Sequence, residues 1–367
     1  MTQILVTANP ISAVSDMLSH PFMRYAFISG TGIAVPAGLL SYFIVLRRQV
    51  FTGDALGHAA FTGALAALAI GADLRLGLFA ITVAGGLLLG VLGNKARADD
   101  VVIGSFFAWM LGLGVLFLSI FTASQSAGNG AGGVRVLFGS IFGLDLVQAQ
   151  VSVAIGAGIT IALLAMARPL LFATIDEAVA EARRIPVRLL GYTFLVLVGL
   201  GTGQATQAVG ALLILGLLAT PGGIAQRLTT RPYVGLLLSC LVAVGSLWVG
   251  LTLSYALPSW PPSFSILAVA SSAYVVVLVS SNAMRILASR GEVALKERRH
   301  TEFRQGSVLP FRVTQIMGER LHLFPILAHR SGIEFFVDIP LHDQAEDPHL
   351  FVGLEDGVGL ELGCELG

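Results

Sequence analysis

An aspartate and a histidine four residues apart, Asp54 and His58, are the residues of this 367-residue chain best placed to do chemistry. They lie in Phe51 to Gly63, FTGDALGHAAFTG, among small and apolar residues. On a helix, positions i and i+4 share a face one turn apart. A carboxylate oxygen and an imidazole nitrogen on one face could share a divalent cation. An ionisable residue inside a membrane span is costly, so it is a functional-site hypothesis from the outset. Spacing alone leaves a second reading open. Asp54 could be a helix cap or a solvated acid near Arg48, and His58 a hydrogen-bonded packing residue.

The elements that position this pair are membrane helices. The chain is 55% hydrophobic and 12% charged, with 43 glycines and a mean hydropathy of +0.83. Soluble domains carry about 25% charged residues, so the composition is that of a polytopic membrane protein with small-residue helix packing. The zero net charge is a cancellation. Residues 1–289 hold 14 Lys and Arg against 9 Asp and Glu, whereas residues 290–367 hold 8 against 13. The change near Ser289 marks a change of solvent. It divides the chain into an N-terminal interfacial segment (1–22), a transmembrane domain (23–288) and a C-terminal extension (289–367). The two cysteines, Cys240 and Cys364, suggest no disulfide framework, and the N-terminus lacks the order of a cleaved signal peptide.

A spanning helix needs about 20 mostly apolar residues. Segments that meet or approach this lie near 24–46, 54–71, 76–93, 101–122, 147–167, 188–204, 207–222, 233–256 and 264–287. This predicts an all-α fold of about eight or nine transmembrane helices. Glycines at 201, 203 and 210 leave the seventh region as one kinked span or two short ones, and Pro221-Gly222-Gly223 is expected to end it. Cytoplasmic loops are rich in Lys and Arg. Placing Arg47, Arg48, Lys95, Arg97, Arg168 and the later arginines inside leaves only Arg24, Arg75 and Arg135 outside. The N-terminus is then external and the C-terminal tail cytoplasmic.

Outside the central pair, Asp145 follows VLFGSIFGL, a piece too short to span and expected to be re-entrant or a short helix. Asp145 either faces a pathway or caps the next helix. SQSAGNGAGG (124–133) reads as an external loop. ATIDEAVAEARRIPV (173–187) reads as a helix with acids first and bases last, stopped at Pro186. It is either a solvated connector or a docking helix for a cytoplasmic partner. The tail holds a basic run, KERRH (296–300), and strand-like FRVTQI and GIEFFVDIPL. It either forms a small β-rich domain or stays partly ordered. Its five histidines (300, 322, 329, 342 and 349), with Asp343, Glu346 and Asp347 nearby, read either as a metal-sensing tail or, since their spacings match no tight ligand motif, as solvated surface residues.

RRQVFTGDALGHAAFTG resembles a signature of the ABC-3 family of prokaryotic metal-ion permeases (the ZnuB/MntB type). In that signature two arginines end the first span and Gly-Asp-x-x-x-His-Ala follows. Here these are Arg47, Arg48, Gly53, Asp54, His58 and Ala59. ADDVVIGSFFAWMLGLGVLFLS, VLFGSIFGL, TIDEAVAEARRIPV, VGALLILGLLATP and SYALPSWPPS resemble later family segments. They occur in the same order over about residues 15–287. The resemblance implies the permease subunit, of the metal-ion/cobalamin type, of an ATP-binding-cassette importer in a prokaryotic plasma membrane. Zinc or manganese would be cargo, and no stably bound cofactor is implied. A second copy would complete the pathway, a separate ATPase would dock from the cytoplasm, and an extracytoplasmic metal-binding lipoprotein would deliver the ion. No nucleic-acid partner is implied.

By this resemblance Asp54 and His58 are metal-pathway residues, and Asp176, Glu177, Ala180, Arg184, Ile185 and Pro186 couple to the ATPase. The chain departs from the family pattern at three places. Arg184 stands where a glycine is usual, Pro221-Gly222-Gly223-Ile224-Ala225 where Pro-Ala-Ala-Thr-Ala is usual, and Trp260 where a glycine follows Pro-Ser. No GxxxxGK[ST] phosphate loop is present, so ATP hydrolysis is expected on a partner chain and the permease is not itself an enzyme. The competing reading is a secondary transporter or channel using Asp54 as an ion or proton site. It would carry more intramembrane acids and an internal repeat. An intramembrane enzyme is weaker, since His58 has no nucleophile at a recognisable spacing.

Overall fold

The computed structural model describes residues 16–93, 100–124, 139, 141–211, 214–305, 350–353 and 361–364. Two compact units divide the chain, Met1–Gly291 and Glu292–Gly367. In the first, after one helical turn at 16–19, the helices are α1 (Pro21–Leu46), α2 (Val50–Ala69), α3 (Leu74–Leu92), α4 (Asp100–Ser124), α5 (Leu146–Ile175), the six-residue α6 (Glu177–Ala182), α7 (Val187–Val209), α8 (Ile214–Leu228) and α9 (Pro232–Ala256). A last helix, α10, runs Pro262–Gln305. In the second unit Leu350–Gly353 pairs antiparallel with Glu361–Cys364. The tail stretches expected as strands at 311–316 and 332–341 lie outside the described residues, as do four of its histidines and the 125–133 loop.

Eight of the nine predicted spans each fall on one helix, while 207–222 straddles the end of α7, the break at Gly210 and the start of α8. Among the described residues, seven helices are long and apolar enough to cross a membrane, α2 and α8 not being among them. The chain is thus a multi-pass helical membrane protein. Two expectations about helix ends need correction. α8 does not stop at Pro221-Gly222-Gly223 but continues through them to Leu228. The reason is packing against α1: Gly222 N–H donates to Ser41 Oγ at 2.8 Å, and Gln226 Nε2 donates to the Tyr42 carbonyl at 3.1 Å. These tertiary bonds support the helix where Pro221 supplies no N–H. The break expected within the seventh region falls at Gly210, whose φ of +90° suits glycine alone. α8 has 15 residues, about 22 Å of helix, short of the ~30 Å hydrocarbon core. The last helix also runs well past residue 287, taking in the basic 296–300 run.

α1 is the hub. Of its spanning window, 72% is buried, against 22% for α4, and it packs on α5, α7, α8 and α9. Close approach explains the glycines. Any side chain at Gly156 of α5 would run into the Gly32 carbonyl of α1. Pro36, four residues on, leaves that carbonyl without its helical N–H partner. α9 is fastened to α1 by Ser239 Oγ donating to the Gly38 carbonyl at 2.6 Å and by Trp248 Nε1 donating to Thr31 Oγ1 at 3.0 Å. Such side-chain bonds contribute where lipid offers no competing partner.

Candidate functional site

Asp54 and His58 stand in the second and third turns of α2, a helix enclosed by α3, α4, α7 and α8. Gln49 is the N-cap of α2, so Asp54 lies inside the helix and caps nothing. Gly53 and Gly57 let α8 approach from one flank. A methyl group at Gly53 would come within 2.9 Å of Leu218 Cδ1, and one at Gly57 within 2.6 Å of Ile214 Cγ2. From the other flank comes α4. Thr62 Oγ1 donates to the Met110 carbonyl at 2.7 Å, and the Phe107 ring meets His58 edge to face, with centroids 4.7 Å apart at 83°. The Gly-Asp-x-x-Gly-His pattern is therefore two glycines for packing and two ionisable residues between the flanks.

Both ionisable side chains are half-buried. Among the described residues no side-chain hydrogen bond or ion pair engages either of them. His58 Nδ1 in particular is buried without a hydrogen-bond partner. An imidazole nitrogen without a hydrogen bond and a carboxylate thus stand one turn apart on α2, the two donor types that divalent cations accept. Among the described residues no cluster of three or more His, Cys, Asp or Glu gathers. Two such donors from one chain are fewer than the four of a closed tetrahedral zinc cage.

The paired arginines before α2 have different fates. Arg47 is buried, with its guanidinium 5.1 Å from the Phe194 ring centroid and its Nε donating to Gln49 Oε1 at 3.2 Å. Arg48 is exposed and sits at φ +57°. Asp145 is exposed and caps α5, accepting from Gln148 N–H at 2.7 Å.

The 173–187 stretch forms a shorter helix than expected, with Asp176 as N-cap, accepting from Val179 N–H at 3.0 Å. Ala180 is fully buried against Ala173 and Val187 and fixes this helix to the bundle. Ile175, Val179, Arg184 and Pro186 are exposed, Glu177 and Ile185 half-buried. Arg184 has φ +60°. That left-handed conformation accounts for the glycine usual at this position.

Phe107, Gly57 and the burial of Arg47 were not anticipated from the sequence. Phe107 is one of many aromatic residues in an apolar run, and only the register of α4 against α2 singles it out.

A bundle of membrane-crossing helices with a half-open polar pair on an enclosed helix is the build of a membrane transport subunit. The model of the ABC 3 transport family matches residues 19–281, and the chain belongs to that family. It is 30% identical over 240 residues to the manganese transport system membrane protein MntC of Halalkalibacterium halodurans, covering 65% of this chain and 80% of that protein. It is 26% identical over 245 residues to the chelated iron transport system membrane protein YfeD of Yersinia pestis, covering 66% and 80%. Among solved structures it is similar to PsaBC from Streptococcus pneumoniae in complex with Fab, with TM-score 0.63, 24% identity, and 73% of this chain and 94% of that chain covered. A metal-chelate type ABC transporter in an inward-facing conformation aligns with TM-score 0.58 and 16% identity, over 76% and 92%. These structural likenesses establish the fold.

Proposed function

We propose that this chain is the membrane permease of an ATP-binding-cassette importer of divalent metal, with manganese the first candidate cargo and zinc and iron(II) its competitors. The observation that supports the proposal is the Asp54 and His58 pair one turn apart on α2, neither side chain hydrogen-bonded among the described residues, with the His58 Nδ1 nitrogen left without a partner. One carboxylate and one imidazole suit manganese, iron and zinc alike. Curated relatives named for manganese and iron transport favour those two metals.

A half-exposed acid and histidine do not belong against lipid. A second copy of the chain facing this side of α2 would shield them and bring a second pair of ligands. Ile175 and Val179, exposed apolar residues beside Asp176, Glu177, Arg184, Ile185 and Pro186, support a docking surface for a cytoplasmic ATPase. That partner would hydrolyse ATP, since the chain has no phosphate loop. An extracytoplasmic lipoprotein would supply the ion from the opposite side. In this reading residues 23–288 are the permease domain in a prokaryotic plasma membrane, preceded by the 1–22 interfacial segment. The 289–367 extension lies in the cytoplasm by the positive-inside rule.

The test is uptake of radioactive manganese, iron(II) and zinc into vesicles made from the native membrane, with and without internal ATP. ATP-dependent uptake of manganese, lost on deletion of this chain, is the expected result. Uptake that ignores ATP would replace the importer with a secondary transporter or channel working through Asp54.

A further inference from the structure

We infer that Phe107 is a positioning residue for the transported cation, holding the His58 imidazole in the orientation that presents its buried nitrogen. This rests on the proposed cation role of Asp54 and His58. His58 contacts the ring of Phe107 edge to face at 4.7 Å, and Nδ1 has no hydrogen-bond partner to fix the ring. Metal-ligating histidines are ordinarily oriented by a hydrogen bond from the other nitrogen to a carboxylate or carbonyl. Among the described residues His58 has no such bond, and the aromatic contact is what remains to set its torsion.

Phe107 is itself well placed to do this. One turn away, Thr62 ties α2 to the Met110 carbonyl at 2.7 Å, and Gly114 lies flat against Thr62 and Phe61. On the other side Phe106 is buried in the core, close against Gly85 of α3. Phe107 is thus fixed from both ends of its helical segment. An edge-to-face pair prefers one mutual orientation of the rings, so the phenyl limits rotation of the imidazole without taking a ligating nitrogen. A cation then meets a donor already aimed, and less ordering is left to binding.

The test is manganese uptake by native cells whose chromosomal gene carries Phe107→Leu or Phe107→Tyr, read at matched membrane abundance, with His58→Ala in parallel. Phe107→Leu should raise the apparent KM for manganese about fivefold and leave the maximal rate within about twofold. Phe107→Tyr keeps the ring and should restore the wild-type KM. An unchanged KM in Phe107→Leu, a loss of maximal rate alone, or equal defects in the Leu and Tyr variants would overturn the assignment. Normal uptake by His58→Ala would instead remove the cation role of the pair itself. Lost uptake there with an unaffected Phe107→Leu would remove only the part given to Phe107.

Discussion

α2 and α4 are both glycine-containing, largely apolar helices packed side by side, yet apart from Gly114, which packs on Thr62 and Phe61 of α2, the glycines of α4 do the opposite of those on α2. On α2, Gly53, Gly57 and Gly63 face α8 and α3 so closely that an added methyl group would collide. On α4, Gly104 and Gly112 meet nothing within 4 Å, and only 22% of its spanning window is buried. One helix is wedged between neighbours, and the other clings to the bundle chiefly through α2. The ionisable pair sits on the wedged helix, where close-packed flanks hold the two side chains in register. Glycine content alone would have ranked the two helices alike. What separates them is which neighbour the glycine face meets, and that is a tertiary property.

Substitutions along these helices sharpen the contrast, from large effects to small. Gly57→Leu should be the most damaging, because Ile214 and the Ala211 carbonyl occupy the space. Overpacking of this kind costs about 1–3 kcal/mol or more, visible as a lower unfolding temperature and poor recovery from detergent. Thr62→Val removes the hydroxyl that joins α2 to the Met110 carbonyl. A loss of about 1 kcal/mol is expected, measured by thermal unfolding of the purified protein. Arg184→Gly should go the other way. Releasing a non-glycine residue from φ +60° stabilises by about 1 kcal/mol, with ATP-dependent uptake as a second readout of the docking segment. Gly112→Ala on α4 should be the mildest, within about 0.5 kcal/mol of wild type. A large loss there would mean that a partner covers this face, and the contrast with α2 would narrow.

Much of the fold was legible because lipid imposes strong constraints. Apolar runs of spanning length can be counted, and eight of the nine fell on one helix each. Helix ends were harder. Pro221 and two glycines look like a terminus in isolation, and only the Ser41 and Tyr42 contacts carry α8 onward. The sequence left Asp145 between a pathway residue and a cap, and the structure uses it as the cap of α5. Arg47 and Arg48 are indistinguishable as neighbours in sequence. The turn after α1 buries one over Phe194 and leaves the other exposed. The central pair was legible because charge inside a membrane segment is conspicuous. Its aromatic neighbour was not, since Phe107 is separated from His58 by 49 positions and joined to it only by helix packing. Arg184 is a middle case: the departure from glycine was visible in the sequence, and the backbone supplies its reason.

The central claim is that Asp54 and His58 meet the cation. The most direct measurement is initial-rate manganese uptake by cells carrying Asp54→Ala or His58→Ala, alongside thermal unfolding of the same purified variants. The account predicts uptake reduced to background in both, with unfolding temperatures close to wild type for Asp54→Ala and only slightly lowered for His58→Ala, because neither side chain hydrogen-bonds to the rest of the described chain and His58 loses only its contact with the Phe107 ring. Wild-type uptake in both variants would contradict it and leave the pair as two polar residues that α2 merely tolerates.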